Sequence, residues 1–163
     1  MRKAVYPGTF DPVTRGHLDV VDRGCRIFDE LVIAVAAGYH KKVLFSLEER
    51  VAMIRDLVVG RERIRVVSFT GMSIRFAREV GADVILRGIR TVSDFEHEFQ
   101  MALTNRSFDN DIETVFVMAS QEYAFVSARL VKESAMLGQD VTAFVPEAVN
   151  ARLREKFRDP TPG

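Results

Sequence analysis

Two stretches of this 163-residue chain carry residues suited to handling phosphate. The first is Tyr6-Pro7-Gly8-Thr9-Phe10-Asp11-Pro12-Val13-Thr14-Arg15-Gly16-His17. It follows a short apolar run and ends where a helical pattern starts. Free backbone N–H groups at a helix start attract phosphate oxygens. Gly16 would let such a group approach the backbone, and His17 would add a side-chain donor at the same place. A histidine that merely orders the helix start fits the residues equally well, and they do not separate the two readings. The second stretch is Arg87-Gly88-Ile89-Arg90, directly after the apolar Val84-Ile85-Leu86. Positive charge at the end of a buried strand is costly unless an anion lies nearby, so these arginines read as anion ligands. Lys41 and Lys42, taken alone, read as solvated loop charges, and Glu98 as either a surface helix charge or a contact. His97 reads as solvated, and His40 carries no chemical signal. Neither a Walker A loop nor a G-x-G-x-x-G turn is present.

The elements that must position these groups alternate between two periods. Strands are expected at Lys3 to Tyr6, Leu31 to Ala37, Ile64 to Ser68, Val84 to Leu86 and Thr114 to Met118, with a short extended piece at Val141 to Val145. Helices are expected between them. One runs from Gly16 to Phe28 with Leu18, Val21, Cys25 and Phe28 on its buried stripe, which makes Cys25 a small core residue. Ser46-Leu47-Glu48-Glu49 forms a capping box before a stripe of Leu47, Val51, Ile54 and Val58. A short helix spans Ile74 to Val80. A second capping box, Ser93-Asp94-Phe95-Glu96, is expected to open a helix reaching Phe108 with a Phe95, Phe99, Ala102 stripe. Further helices cover Ser127 to Leu137 and the residues after Pro146. This rhythm predicts a Rossmann-like α/β fold, a parallel sheet with helices on both faces. Such sheets bind ligands beyond the carboxyl ends of their strands, where the phosphate-handling residues fall. A single domain over residues 1–158 and a frayed tail over 159–163 are expected.

Composition narrows the class. Lysine plus arginine and aspartate plus glutamate both number 23, so the formal charge is zero. That balance weighs against nonspecific binding to nucleic acid or an anionic membrane. One cysteine excludes an internal disulfide and a multi-cysteine zinc cluster. The longest apolar run, Leu31 to Ala37, is far too short to cross a bilayer, and the expected location is the cytoplasm.

The Tyr6 to His17 stretch resembles the T-x-G-H form of the signature of the nucleotidyltransferase α/β superfamily. Four further blocks resemble one of its families, the phosphopantetheine adenylyltransferases: Lys41-Lys42 with Phe45 to Arg50, Leu86 to Arg90, Asp94 to Glu98, and Val126 to Glu133. The likeness runs in order from Val5 to about Val149. It implies a nucleotidyltransferase fold and reversible adenylyl transfer from ATP to 4′-phosphopantetheine, yielding dephospho-CoA and pyrophosphate. Carried onto matching positions, it makes His17 the transition-state stabiliser, with Lys41 and Arg90 also catalytic. It places Thr9, Lys41, Ser73 and Arg87 on the acceptor. It places Thr9, Phe10, His17, Gly88, Ile89, Arg90, Glu98, Tyr123, Ala124, Phe125, Val126, Ser127, Ala128 and Arg129 on ATP. The resemblance also implies magnesium held mainly by the ATP phosphates with no protein metal cage, a homo-oligomer (a hexamer), and CoA as a feedback inhibitor.

The chain departs from the family pattern at several positions. His97 replaces the usual tyrosine, and Ala128 and Arg129 replace residues that are commonly serine or threonine. Ala119 and Gln121 stand where proline and lysine are frequent. Ser73 replaces a larger apolar residue expected on the pantetheine arm. The rival functions are adenylyl transfer to another phosphorylated acceptor such as nicotinamide mononucleotide, and a non-catalytic nucleotide sensor on the same scaffold.

Overall fold

The computed structural model describes residues 2–38 and 42–158. His40, Lys41 and the 159–163 tail therefore lie outside the described residues. The β-rich runs form β1 (Lys3–Gly8), β2 (Glu30–Ala36), β3 (Ile64–Phe69), β4 (Val84–Ile89) and β5 (Glu113–Met118). They make one parallel sheet in the order β3-β2-β1-β4-β5. The helical patterns form α1 (Arg15–Ile27), α2 (Leu47–Leu57), α3 (Ser73–Glu79), α4 (Val92–Phe108), α5 (Ala128–Met136) and α6 (Glu147–Arg158).

Strand side chains alternate between faces, and both faces are covered. Ala4, Tyr6, Leu31, Ile33, Val35 and Leu86 pack with Val20 and Val21 of α1, Val51 and Ile54 of α2, Val131 of α5 and Leu153 of α6. Their neighbours Val5, Val32, Ala34 and Ile85 pack on the other side with Ile74 and Ala77 of α3. Cys25 is half-buried against the first cluster, where burial raises its thiol pKa, so it is the inert packing residue expected of its stripe.

The connection order reverses at β1, whose neighbours are β2 on one side and β4 on the other. Between β1 and β2 the register holds from Lys3↔Glu30 to Gly8↔Val35. Between β1 and β4 it consists only of Ala4↔Val84 and Val5↔Ile85. Pro7 has no N–H to give a ladder, and the two strands part on their carboxyl side. That opening is the crevice in which α/β sheets of this kind bind ligands.

Three expectations need correction. Strand β4 extends through Ile89, so Arg87 and Gly88 lie within it and not after it. Helix α4 begins at Val92 with Thr91 as its cap, whose Oγ1 accepts the Asp94 N–H at 3.2 Å; the expected Ser93 cap lies one residue inside the helix. Residues 141–145 form a turn and not an extended piece, with the Phe144 and Val145 N–H groups both donating to the Val141 carbonyl. Val141 and Val145 are both fully buried there, four residues apart. A short 3-10 turn at Gln121–Tyr123 had no sequence signal that we read.

Candidate active site

The crevice between β1 and β4 opens into a cleft of about 420 Å³. Thr9, Phe10, Gly16, His17, Arg87, Gly88, Arg90 and Glu98 all line it, as do Val126, Ser127 and Ala128. A second cavity of about 350 Å³ adjoins it, lined by Ser73 and Asn105, and shares Thr9, Arg87 and Glu98 with the first. The β1–α1 motif and the end of β4 therefore converge on one site.

His17 orders the helix start, one of the two readings that the sequence left open, and it also lines the cleft. Thr14 is the cap of α1: its Oγ1 accepts the His17 N–H at 3.3 Å, while the Thr14 N–H donates to His17 Nδ1 at 3.0 Å. An Nδ1 that accepts must be unprotonated, which leaves the ring proton on Nε2. Burial lowers the His17 pKa to about 4, and the charges of Arg90 and Arg87 push in the same direction. The imidazole at neutral pH is thus an uncharged donor. Phe10 sets its other side, edge-on to His17 with centroids 5.0 Å apart and edge-on to Tyr6 at 5.4 Å.

Phe10 reaches that position through a left-handed backbone, φ 49°, a conformation costing about 1–3 kcal/mol for a non-glycine residue. Its ring folds back over Gly8, where a Cβ would lie 2.8 Å from Phe10 Cζ. The glycines of the site divide by use. A Cβ at Gly88 would stand 2.6 Å from Val20 Cγ2, so this glycine lets α1 pack on the sheet. A Cβ at Gly16 would meet the protein no closer than 3.6 Å. Packing does not require a bare backbone there, whereas a ligand approaching the helix start would use it.

The cationic groups are not bare. Arg87 makes a two-pronged pair with Glu98, Nε to Oε2 at 2.6 Å and Nη2 to Oε1 at 2.5 Å, and its Nη1 donates to the Pro7 carbonyl at 2.6 Å. The side chain thus bridges the gap where β1 and β4 part. Arg90 donates to Asp94 at 2.8 Å and to the Val126 carbonyl at 2.5 Å. An arginine has five N–H donors, so each keeps some for an incoming oxygen. Glu98 is buried at 9% exposure, which rules out the surface-charge reading. Its helix is turned part-way from the expected stripe: Phe95 and Phe99 are 43% and 48% exposed, while Ala102 of that stripe stays half-buried and lines the second cavity with Glu98. His97 is exposed, as expected.

Other expected contacts lie at the rim. Tyr123 packs beside Gly16, and exposed Phe125 stacks edge-on against Phe144 at 5.6 Å. Exposed Arg129 pairs with Glu133 at 2.9 Å. Ile89 ends β4 and accepts the Ala119 N–H, tying the loop after β5 to the site. Ala124 joins the 3-10 turn to the Val126 segment. None of Ile89, Tyr123, Ala124, Phe125 and Arg129 lines the cleft.

The sequence reading missed Asp11, Lys132, Asn105 and Arg50. Buried Asp11 accepts the Leu44 and Phe45 N–H groups at 2.9 Å and pairs with Lys132 at 2.6 Å, locking the first motif to α5 and to the start of α2. The signal for Asp11 was its place inside the Thr9 to His17 block. Lys132 falls beside the core residue Val131 in a matched block, and neither position alone betrays an ion pair 121 residues apart in sequence.

Comparison with known proteins agrees with this geometry. A family profile described as cytidylyltransferase-like matches residues 5–134. A phosphopantetheine adenylyltransferase of Thiobacillus denitrificans is 50% identical over 159 residues, 98% of this chain and 99% of the relative. One from Heliobacterium modesticaldum is 49% identical over 163 residues, 100% and 97% of the two chains. A crystal structure from Vibrio parahaemolyticus, described as a candidate nicotinate-nucleotide adenylyltransferase, superposes with a TM-score of 0.70 over 94% of this chain and 99% of its own. At 12% identity it speaks for the fold alone. The chain belongs to the phosphopantetheine adenylyltransferases, within the cytidylyltransferase-like nucleotidyltransferases.

Proposed function

We propose that the chain transfers the adenylyl group of ATP to 4′-phosphopantetheine, reversibly and without a covalent enzyme intermediate. A phosphate oxygen of the acceptor attacks the α-phosphorus, and the bond to the β-phosphate bridging oxygen breaks. Pyrophosphate leaves with that electron pair, and dephospho-CoA is the other product. The observation that carries this reading is the convergence of His17, Arg87 and Arg90 on one cleft at the point where β1 and β4 part.

Two anionic reactants must meet in line, so positioning and charge neutralisation are the tasks of the protein. Neutral His17 donates from Nε2 to an oxygen on the α-phosphorus, which gains charge as the bond order changes. Arg90, Gly16 and the Val126 to Ala128 segment take the nucleotide side. Arg87, Thr9 and Ser73 take the acceptor, whose pantetheine arm would lie in the second cavity. Lys41 belongs to the same acceptor reading. Ala128 leaves that helix start without the family's usual hydroxyl, and Arg129 could reach the leaving pyrophosphate by releasing Glu133.

Magnesium bridging the ATP phosphates would neutralise charge on the leaving group. No group of three or more His, Cys, Asp or Glu suited to holding a metal ion occurs among the described residues. Asp11, Asp94 and Glu98 are each held by a cation, a donor set that fits an ion carried by phosphate and water. The exposed apolar face of α4 supports a homo-oligomer, for which we propose the family's hexamer. We also propose a single domain, a cytoplasmic setting and CoA as an inhibitor competing for the same cleft. No helix among the described residues is long and apolar enough to cross a membrane.

The test is pyrophosphate release from ATP with 4′-phosphopantetheine, set against nicotinamide mononucleotide. Release with the first acceptor and background with the second is expected. The reverse preference would transfer the site to the rival acceptor, and background with both would favour the nucleotide sensor.

A further inference from the structure

Arg50 is the largest fully buried side chain among the described residues, at 1% exposure, and Asp11, whose charge reaches it, pairs with Lys132 instead. A buried guanidinium is expensive and survives only where its donors are well satisfied. Here five backbone carbonyls receive them. Nε donates to Phe45 and Ser46, Nη1 to Thr9 at 2.7 Å and Ala36 at 2.8 Å, and Nη2 to Ala37 at 3.4 Å. Those carbonyls come from three places: the turn after β1, the end of β2, and the start of α2. The planar fork of arginine meets them in several directions at once, which the compact ammonium of lysine could not reproduce.

The bond to Thr9 bears on the cleft. In a trans peptide the carbonyl and the following N–H point in opposite directions, and among the described residues the only cis bond is Asp11–Pro12. Holding the Thr9 carbonyl therefore turns the Phe10 N–H away from Arg50. Phe10 lines the cleft, and its N–H donates to no group among the described residues. Phe10 itself has a left-handed φ of 49°.

We propose that Arg50 is a positioning residue: by gripping the Thr9 carbonyl together with the carbonyls of Ala36, Ala37, Phe45 and Ser46, it aims the Phe10 N–H at a phosphate oxygen of the bound nucleotide. The inference rests on the cleft being the nucleotide site. Arg50 does not itself touch substrate. Its effect falls on alignment, so it is felt in turnover more than in nucleotide affinity.

The experiment uses the full-length chain labelled with ¹⁵N-phenylalanine, titrated with ATP, beside steady-state kinetics of Arg50→Lys, Arg55→Lys and His17→Ala. Arg55, on the same helix, donates to the Val66 carbonyl away from the cleft and serves as control. In the wild-type chain the Phe10 amide should shift on adding ATP. Arg50→Lys should lose that shift and lower kcat on the order of tenfold or more, with KM for ATP within about threefold. Arg55→Lys should match the wild type. Arg50→Lys with kcat within twofold of wild type would overturn the inference. So would an unmoved Phe10 amide in the wild-type chain, a result that stands even if the variant does not fold. If His17→Ala also turned over normally, the site reading itself would have failed, whereas a slow His17→Ala beside a normal Arg50→Lys would sink only the role of Arg50.

Discussion

Helices α1 and α4 flank the same crevice and obey opposite rules. Helix α1 buries Val20, Val21 and Gly24 against the sheet and offers His17 from its first turn. Helix α4 buries Glu98 and Asn105 and leaves Phe95, Phe99, Leu103 and Phe108 exposed. In α1 the apolar stripe holds the helix and the functional group comes from its end. In α4 the buried side is itself part of the site, facing Arg87 and the second cavity, so the apolar residues are displaced outward. The rotation leaves Phe99 and Leu103 as an apolar strip on the outer side of the helix.

The largest effect should come from the end of α1. His17→Ala should lower turnover by about 10²–10³, the loss typical of one preorganised donor to developing charge, while nucleotide affinity changes little. Single-turnover kinetics with calorimetric ATP binding would show this; equal losses in both would reduce His17 to a binding residue. On the α4 side, Arg87→Met would leave Glu98 without its partner. A loss of about 2 kcal/mol in urea denaturation is expected for an uncompensated, mostly buried carboxylate, together with a raised KM for the acceptor. An unchanged KM would take Arg87 out of the acceptor site.

The smallest effects test the contrast most simply. Val21→Ala, inside the α1 stripe, should cost about 2 kcal/mol of stability. Phe99→Ala on α4 should cost less than about 0.5 kcal/mol in the isolated chain but shift sedimentation toward smaller species. If the two variants destabilised the isolated chain equally, Phe99 would be packed in solution as Val21 is.

The rotation of α4 also marks where sequence stopped being informative. The strands were legible because Leu31 to Ala36 is apolar at every position, as a strand covered on both faces must be. The Ser46 capping box was legible because cap and partner lie three residues apart, and both bonds form. The face of α4 was not legible. Phe95, Phe99 and Ala102 have the spacing of a core stripe, and the pairing of Glu98 with Arg87, on a different element, accompanies a rotation that buries the Glu98 edge of that stripe instead of its centre. The cap of α4 failed for a related reason: Thr91-x-x-Asp94 and Ser93-x-x-Glu96 offer overlapping patterns. The Arg90–Asp94 pair spans the helix start and accompanies the earlier of them. Within the site, the motif residues His17, Arg87 and Arg90 could be read from the chain. Their supports Asp11, Lys132 and Arg50 could not, because a buried charge looks like a surface charge until its partners are known.

The account depends above all on an imidazole at position 17 that is neutral, with its proton on Nε2. Its folded pKa lies below the unfolded value, so the unfolded chain takes up the proton first as pH falls. Stability from this group is then whole above about pH 6.5 and is lost as pH falls toward about 4. The direct measurement is a ¹⁵N-histidine NMR titration of the full-length chain between pH 8 and pH 4.5, with His17→Ala assigning the signal. The predicted result is a ring with an unprotonated Nδ1 and a protonated Nε2 that holds those shifts down to about pH 5. A His17 that titrates near pH 6.5, or that carries its proton on Nδ1, would contradict the account.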